Sequence, residues 1–328
     1  MKICIYGIGA IGGLMAARLK QAGYDVSAIA RGKTLESIQK NGLQFYPAGA
    51  ETAQSYPINA TNKPADLGVQ DIVIIAVKTT ALAEIATHIA PLIGPDTVVF
   101  SAMNGIPWWF FHGLPQAPEN IKLDSIDPQN RISNAIPASQ IIGCVTHLSA
   151  TTPATGTVRQ IAGNHLIIGE PNGENTPRLQ QLRHILETAG FELEVSSQIQ
   201  EDIWFKLWGN MTMNPVSAIT GAKSDQILND RYVRDFMSRI MQEAALIGAK
   251  IGLPIDADPE ERHQVTYKLG SFKTSMLQDA EAGKPLELDA LVAAVVEIAH
   301  QLDIAIPWIE SLFGIARLQA KTRSLYNY

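Results

Sequence analysis

A glycine-rich segment joins the first apolar run of the chain to its first helical pattern. Residues 2–6 have the pattern of a buried strand, and residues 11–22 have that of a helix. In the joining segment Gly7 permits a tight turn, Gly9 lets the backbone approach a pyrophosphate, and Gly12 allows close packing of helix on strand. Free N–H groups at the helix start then provide an anion site, and a turn that binds nothing is the alternative. The predicted cofactor-binding positions here are Gly7, Ile8, Gly9, Ala10, Ile11 and Gly12.

The first half of the chain alternates short apolar runs with helical patterns, as α/β proteins do. Residues 71–77 and 97–100 are almost continuously apolar or β-branched, and residues 25–30 form another strand-like run. Continuous apolarity suits strands that are covered on both faces of a parallel sheet. The pattern therefore predicts a Rossmann-type α/β sheet.

A change of pattern near residue 196 divides the chain. Between residues 140 and 170 the segments become strand and turn in character, which is typical of antiparallel pairs. After about residue 197 almost the whole chain has helical periodicity. Because 328 residues correspond to about two domains of ordinary size, we expect an α/β dinucleotide-binding domain over residues 1–196 and an all-α domain over residues 197–328.

The composition excludes several classes of protein. Acidic residues outnumber basic ones by 32 to 26, which gives a net charge of −6 without basic clusters, so nucleic-acid binding is not expected. Two cysteines are too few for a disulfide framework or a zinc site, and the histidines show no ligand spacing, so no metal is expected. The longest uncharged stretch, residues 132–158, is interrupted by prolines and glycines and does not predict a membrane span. Without a signal peptide at its start, the chain is predicted to be cytoplasmic.

The residues after the second predicted strand indicate the choice of dinucleotide. An NAD site places a carboxylate there to hold the ribose hydroxyls. This chain has Arg31 and Lys33 at that point and no acidic residue until Glu36. Arg31 is able to pair with a 2′-phosphate through charge-assisted hydrogen bonds, whereas a carboxylate would repel the phosphate. The sequence therefore predicts NADPH as the cofactor, and the alternative is that Arg31 is an ordinary solvated residue.

Polar residues also follow the later strands of the predicted sheet. Lys78 comes after the apolar run at residues 71–77, and Asn104-Gly105 comes after the run at residues 97–100. In open parallel sheets ligands bind beyond the carboxyl ends of the strands, so both polar side chains are expected to face the cofactor. Ordinary loop chemistry is an equal alternative for each of them.

Lys206, Asn210 and Asn214 are spaced at four-residue intervals in an otherwise apolar segment. Each step of four residues advances about 40° around a helix, so the three side chains lie within about 80° on one face. Buried polar groups need partners, so a lysine and two amides among tryptophans and methionines are unusual for a packing face. We interpret them as a functional stripe rather than as a solvated face.

Ser275 and Asp279 repeat this interval on a later predicted helix, and Glu287 follows near another helix start. With the earlier motifs, these residues give the chain a resemblance to the ketopantoate reductase (2-dehydropantoate 2-reductase) family over nearly its full length. The resemblance implies a Rossmann domain followed by a helical domain like that of phosphogluconate dehydrogenases, with the active site in the cleft between them. The matching motifs are Gly7-Ile8-Gly9-Ala10-Ile11-Gly12, Arg31, Val77-Lys78, Asn104-Gly105, Trp204-Phe205-Lys206-Leu207-x-x-Asn210, Asn214-Pro215, and Ser275-Met276-Leu277-Gln278-Asp279 leading to Glu287.

The resemblance also implies an activity, the NADPH-dependent reduction of the small 2-oxo acid 2-dehydropantoate to (R)-pantoate in pantothenate biosynthesis. It makes Lys206 the general acid, and it implies that Glu287 fixes this lysine and contacts the substrate hydroxyl. The other implied roles are binding of the substrate oxygens by Asn210 and Asn214, binding of the substrate carboxylate by Ser275 and Asn104, and cofactor contacts by Lys78 near the nicotinamide ribose and by Asn104.

An aromatic segment, Trp108-Trp109-Phe110-Phe111, and the proline-rich residues 113–139 depart from the family pattern. The aromatic residues are expected either to wall the substrate pocket or to be packed core or a dimer contact, and these alternatives are equal. A pocket reshaped there leaves another branched 2-oxo acid as an alternative substrate. A non-catalytic NADPH sensor is a second alternative, although a sensor needs neither Lys206 nor Glu287. A homodimer is one possible assembly.

Overall fold

The structure is a computed structural model that describes residues 1–116, 118 and 120–326. In these residues the strands all lie before the helix that begins at Ile199, and the chain is helical from there on. Within the described ranges, no helix combines the length and the apolar character needed to cross a membrane.

The chain folds into two compact units. The first consists of Met1–Met103 and Asn130–Asp202, and the second consists of Asn104–Gln129 and the residues from Ile203 onward. The segment Asn104–Gln129 thus groups with the helical unit, whereas the predicted limits place it in the first domain. The predicted boundary near residue 196 itself stays a prediction.

One mixed sheet holds the strands that the structure describes. The strands are β1 (Lys2–Tyr6), β2 (Asp25–Ile29), β3 (Leu43–Tyr46), β4 (Gln54–Tyr56), β5 (Asn59–Thr61), β6 (Ile72–Ile75), β7 (Val98–Ser101), β8 (Ile141–Ala154), β9 (Thr157–Gly169) and β10 (Glu192–Val195). Across the sheet their order is β4-β3-β9-β8-β7-β6-β1-β2-β5, and β10 pairs with β9.

The centre of the sheet is parallel and buried on both faces. Strands β2, β1, β6 and β7 run in the same direction, with Ile3 opposite Ile72 and Ile72 opposite Val98. Every residue of β6 is buried, which explains why its sequence is continuously apolar. Strands β8 and β9 form the antiparallel pair that the strand-and-turn pattern indicates. The prediction of a Rossmann-type α/β domain is confirmed.

Helices of the first unit cover this sheet. The fully buried side chains of Leu14, Met15 and Leu19 place one face of the first helix in the core cluster that also contains Ile3 and Ile5. The α-helices are α1 (Ala10–Gln21), α2 (Gly32–Asn41), α3 (Leu82–Ala86), α4 (Arg131–Ala135) and α5 (Pro177–Thr188), and short 3₁₀ turns lie at Pro64–Asp66, Thr79–Ala81, Ala90–Leu92 and Ala138–Gln140. A further 3₁₀ turn, Pro128–Asn130, includes the last two residues of the segment that groups with the second unit.

The later part of the chain is all-α in its described residues, as its periodicity predicts. A π-helical turn, Asp289–Ala293, leads directly into the helix that follows it. The helices are α6 (Ile199–Thr220), α7 (Ser224–Asn229), α8 (Arg231–Lys250), α9 (Pro259–Lys268), α10 (Ser275–Glu281), α11 (Ala294–Gln301) and α12 (Pro307–Thr322).

The aromatic segment belongs to the core of the second unit. Trp108, Trp109 and Phe110 are buried, and the Phe110 ring centroid lies 6.1 Å from that of Trp204 on α6. Burial of these large apolar rings is what draws the segment into the helical unit. The three rings are packed in the second unit, and their role as a wall of the substrate pocket stays a prediction.

The residues after the aromatic segment are fastened to α11. Glu297 accepts hydrogen bonds from the Ser125 backbone N–H at 2.9 Å and from the Ser125 hydroxyl at 2.8 Å. Gln301 exchanges two further hydrogen bonds with the Lys122 backbone. These contacts explain how a long proline-containing connection is held against the helices of its unit.

Candidate active site

The glycine-rich turn of the first unit has three differently constrained positions. Gly7 has a φ of +100°, which L side chains rarely adopt, and a Cβ there would lie 2.4 Å from Val77 Cγ1. A Cβ on Gly12 would lie 2.0 Å from the Gly7 carbonyl oxygen. By contrast, a Cβ on Gly9 would have no described atom within 4 Å. Gly7 and Gly12 are thus required by the fold, while the position of Gly9 leaves room beside the backbone.

Helix α1 begins directly after this space. Gly9 is its N-cap residue, and among the described residues no side chain caps the helix and no acidic residue lies in its first turn. The first N–H groups of a helix have no partner within the helix, and its N-terminus carries partial positive charge. Ile8, Ala10 and Ile11, which flank the space, are only partly buried. The turn therefore has the geometry of an anion-binding helix start.

Arg31 lies two residues after β2 and forms an ion pair with Glu84 of α3. The hydrogen bond between these side chains is the main cause that raises the pKa of Arg31 and lowers that of Glu84. Both side chains are more than half exposed, with 60% and 57% of their surface accessible, so the pair contributes little to stability. Burial raises the pKa of the nearby Tyr6 hydroxyl, and the charge of Arg31 opposes that rise.

Sequence reasoning missed Glu84. The first acidic residue after Arg31 in the sequence is Glu36, but the carboxylate that contacts Arg31 lies 53 residues further along the chain. Only the strand order brings β2 and the segment after β6 to neighbouring positions around β1. No local pattern could have identified this pair.

Lys78 follows β6 and precedes the 3₁₀ turn Thr79–Ala81. Since β1 and β6 are parallel, with Tyr6 opposite Ile75, Lys78 and the glycine-rich turn lie at the same carboxyl edge of the sheet. The Lys78 side chain is partly buried. This is the edge at which the sequence predicts the cofactor.

In the second unit, Lys206 and Asn104 are brought together. Lys206 Nζ donates a hydrogen bond to Asn104 Oδ1 at 2.8 Å, although the two residues are 102 positions apart. Lys206 and Asn210 are partly buried and Asn214 is buried, and all three lie on the single helix α6. The predicted polar stripe thus exists as a continuous helical face with an ammonium group at one end.

Aromatic side chains fix the part of α6 that carries Lys206. Trp204 and Trp208 are almost completely buried on either side of it in the sequence. The Trp208 indole N–H donates to the backbone carbonyl of Met241 on α8 at 2.7 Å, and Trp204 packs near Phe110. Because buried aromatic rings have few alternative rotamers, they restrain the helix on which the lysine lies.

The turn that carries Asn104 is held against the segment that follows Glu287. Gly105 has a φ of +81°, and a Cβ there would lie 2.6 Å from the Ala290 carbonyl oxygen. The backbone N–H of Ile106 donates to the same carbonyl at 2.8 Å. Ala290 belongs to the π-helical turn that starts two residues after the partly buried Glu287. The segments of Asn104 and Glu287 therefore contact each other directly.

Ser275 is the first residue of α10 and is exposed, and Asp279 lies one turn later. The preceding residue, Thr274, caps the helix by accepting from the Leu277 N–H at 3.1 Å. Its hydroxyl is also hydrogen-bonded to Ser217 on α6, and both hydroxyls are buried. This pair, which the sequence did not reveal, fastens the start of α10 to the helix that carries the polar stripe.

Two family models match the chain over most of its length. The model described as Ketopantoate reductase PanE/ApbA matches residues 3–173. The model described as Ketopantoate reductase PanE/ApbA C terminal matches residues 198–320.

Individual proteins match over the full chain. A 2-dehydropantoate 2-reductase of Mesorhizobium japonicum is 39% identical over 328 residues, which is 100% of both chains. A solved structure of a putative ketopantoate reductase from Ralstonia solanacearum superposes with a TM-score of 0.93 at 49% identity, covering 99% of each chain. D-mandelate dehydrogenase, solved with NADH and anilino(oxo)acetate, has a TM-score of 0.85 over 99% of this chain and 100% of its own. Its identity is only 20%, so this likeness concerns the fold alone.

Proposed function

Because the chain belongs to the ketopantoate reductase family, we propose that it reduces 2-dehydropantoate to (R)-pantoate with NADPH, as a step of pantothenate biosynthesis. Membership of this family makes the chain a dinucleotide-dependent oxidoreductase, and the substrates of the family are small keto acids. The observation that carries the proposal is the hydrogen bond between Lys206 Nζ and Asn104 Oδ1, because it holds an ammonium group in place on a polar helical face.

Reduction of a keto group requires a hydride at the carbon and a proton at the oxygen. NADPH, when bound, supplies the hydride. Lys206 donates the proton to the oxygen that becomes the hydroxyl and then takes a proton from water, so the enzyme returns to its starting state. Asn104 Oδ1 accepts from Nζ and so limits the rotamers of a long, flexible side chain, which keeps the proton donor oriented.

The first unit offers a fitting place for the dinucleotide. The open space beside Gly9 admits a pyrophosphate, and the uncapped start of α1 provides the N–H groups that bind it. We propose that a 2′-phosphate replaces the Glu84 carboxylate on the Arg31 guanidinium. This exchange is feasible because the Arg31–Glu84 pair is exposed and therefore weak.

The remaining side chains are proposed to bind the substrate. Glu287 orients Lys206 and contacts the substrate hydroxyl. Asn210 and Asn214 bind the substrate oxygens, and Ser275 helps to bind the substrate carboxylate. Lys78 lies near the nicotinamide ribose, and Asn104 contributes to the cofactor and substrate sites. A different branched 2-oxo acid stays the alternative substrate, and the burial of Trp108, Trp109 and Phe110 does not by itself favour it.

The proposal is tested by following NADPH oxidation at 340 nm with a panel of 2-oxo acids. We expect 2-dehydropantoate to have the highest kcat/KM, and 3-methyl-2-oxobutanoate, which lacks the hydroxymethyl group, to be slower. If 2-dehydropantoate is among the slowest, the substrate is another branched 2-oxo acid. Binding of NADPH without oxidation by any acid would identify a sensor instead. The homodimer and the cytoplasmic location stay predictions.

A further inference from the structure

The last described residues of the chain have a fixed position in the second unit. Helix α12 ends at Thr322, and two residues later Ser324 has a left-handed φ of 57°. The N–H groups of Ser324 and Leu325 donate to carbonyls in the last turn of α12 at 2.9 and 2.8 Å, which is the Schellman arrangement of a helix end. Leu325 is buried. We name Leu325 and Tyr326 the C-terminal clamp.

The C-terminal clamp bonds the chain on both sides of Glu287. The backbone N–H of Leu286 donates to the Leu325 carbonyl at 2.8 Å. The Tyr326 hydroxyl donates to the Asp289 carboxylate. Because Glu287 lies one residue after the first anchored position and two before the second, its backbone is restrained from both directions.

A third contact connects the same segment to the Asn104 turn. The Ala290 carbonyl accepts from the Ile106 N–H at 2.8 Å, and the Leu291 N–H donates to the Glu287 carbonyl at 3.3 Å. Ala290 and Leu291 belong to the π-helical turn. Such turns are rare in proteins, and many of those known lie at functional sites. The C-terminal clamp and the Asn104 turn therefore hold the π-helical turn from two separate parts of the chain.

The hydrogen bond between Tyr326 and Asp289 is partly buried, and burial affects the pKa of both groups. Burial raises the pKa of Asp289, and the hydrogen bond from Tyr326 opposes this rise. Burial and the neighbouring carboxylate both raise the pKa of Tyr326, so the tyrosine keeps its proton and acts as the donor. Removal of the hydroxyl would leave a partly buried carboxyl group without this donor, which is costly in a poorly solvated place.

We propose that Tyr326 is a positioning residue for Glu287, acting through Asp289 and the π-helical turn. The inference rests on the proposed function, because Glu287 receives its role in substrate binding only there. Loss of the hydroxyl shifts the π-helical turn and with it the carboxylate that contacts the substrate hydroxyl. The glycine-rich turn, which is proposed to bind the pyrophosphate, belongs to the other unit, so we expect the Kd for NADPH to change much less than kcat/KM.

The test compares Tyr326→Phe, which removes only the hydroxyl, with Tyr232→Phe on the exposed start of α8 as the matched control. We expect kcat/KM for 2-dehydropantoate to fall about tenfold in Tyr326→Phe and to stay unchanged in the control. With 3-methyl-2-oxobutanoate, which has no hydroxyl for Glu287 to contact, the loss should be clearly smaller. In a Glu287→Ala background the effect of Tyr326→Phe should disappear. Asp289→Asn, which keeps an acceptor for the hydroxyl, should retain more activity than Asp289→Ala.

A merely structural role gives a different pattern. A Tyr326→Phe effect that persists in the Glu287→Ala background would overturn the proposal, because Tyr326 would then not act through Glu287. If the wild-type chain does not reduce 2-dehydropantoate, the proposed function fails. Amide hydrogen exchange, which needs no substrate, then tests whether the C-terminal clamp holds the segment around Glu287. We expect faster exchange at Leu286 and Leu291 in Tyr326→Phe, and unchanged exchange there would contradict the clamp as well.

Discussion

Replacement of Gly105 by alanine separates two physical effects at the Asn104 turn. At a φ of +81° an L residue is strained by about 1–2 kcal/mol. The new Cβ would also lie 2.6 Å from the carbonyl oxygen and 2.7 Å from the Cβ of Ala290, so the turn must move away and lose the Ile106 hydrogen bond. Loss of that bond adds about 1–2 kcal/mol, giving roughly 2–4 kcal/mol in total.

Gly270→Ala is the matched control for this variant. Gly270 has a φ of +78° and belongs to the same unit, but a Cβ there would have no described atom within 4 Å. We therefore expect Gly270→Ala to lower the free energy of unfolding by only about 1–2 kcal/mol, the conformational strain alone. Urea unfolding measures both values, with the slope checked for unchanged cooperativity.

Activity provides the second readout for Gly105→Ala. Since a displaced turn withdraws Asn104 from Lys206, we expect kcat to fall by about 10–100-fold, while Gly270→Ala stays near wild type. If Gly105→Ala is no more destabilising than Gly270→Ala, or is as active, the contact with Ala290 does not hold the catalytic turn and the reasoning is refuted.

Three further predictions concern other contacts. Glu84→Gln should tighten NADPH binding by about two- to fivefold without changing NADH binding, because the carboxylate no longer competes for Arg31; an equal gain for both cofactors in fluorescence titrations would contradict this. Gly12→Ala should lower thermal stability far more than Gly9→Ala, because only the Cβ at residue 12 meets a backbone atom. Gly9→Ala should instead weaken NADPH binding by about an order of magnitude, because its Cβ enters the space proposed for the pyrophosphate. If Gly9→Ala is the less stable variant and Gly12→Ala the weaker binder, these two roles are wrong. Trp208→Phe should destabilise the chain by about 1–3 kcal/mol in urea, because the side-chain hydrogen bond to the Met241 carbonyl is lost and the smaller ring leaves unfilled space in the core, and a neutral result would show that this bond is dispensable.

The parts of the site that sequence patterns predicted are those fixed by local spacing. The glycine-rich turn is determined by residues 7–12, since Gly7 and Gly12 respond to contacts within the turn itself or with the segment after β6, while Gly9 leaves open space beside the backbone. The stripe from Lys206 to Asn214 follows from helical geometry alone. Similarly, the continuously apolar sequence of β6 predicts that the strand is buried on both faces, whichever strands lie beside it.

The parts that could not be predicted depend on contacts between distant positions. Glu84 meets Arg31 only through the strand order of the sheet. The aromatic segment follows β7 in the sequence but packs against Trp204, almost a hundred residues later, because burial of its rings outweighs its position in the chain. The bond from Tyr326 to Asp289 likewise exists only because α12 ends in a turn that directs the chain back.

Lys206 is proposed to donate the proton in the reduction, and turnover without this side chain tests the proposal. The kcat for 2-dehydropantoate is compared between wild type, Lys206→Ala and a control at an exposed lysine, Lys250→Ala at the end of α8. We expect Lys206→Ala to lose about 10²–10⁴-fold in kcat while the Kd for NADPH is unchanged, and Lys250→Ala to behave as wild type. Near-normal turnover by Lys206→Ala would contradict the proposal.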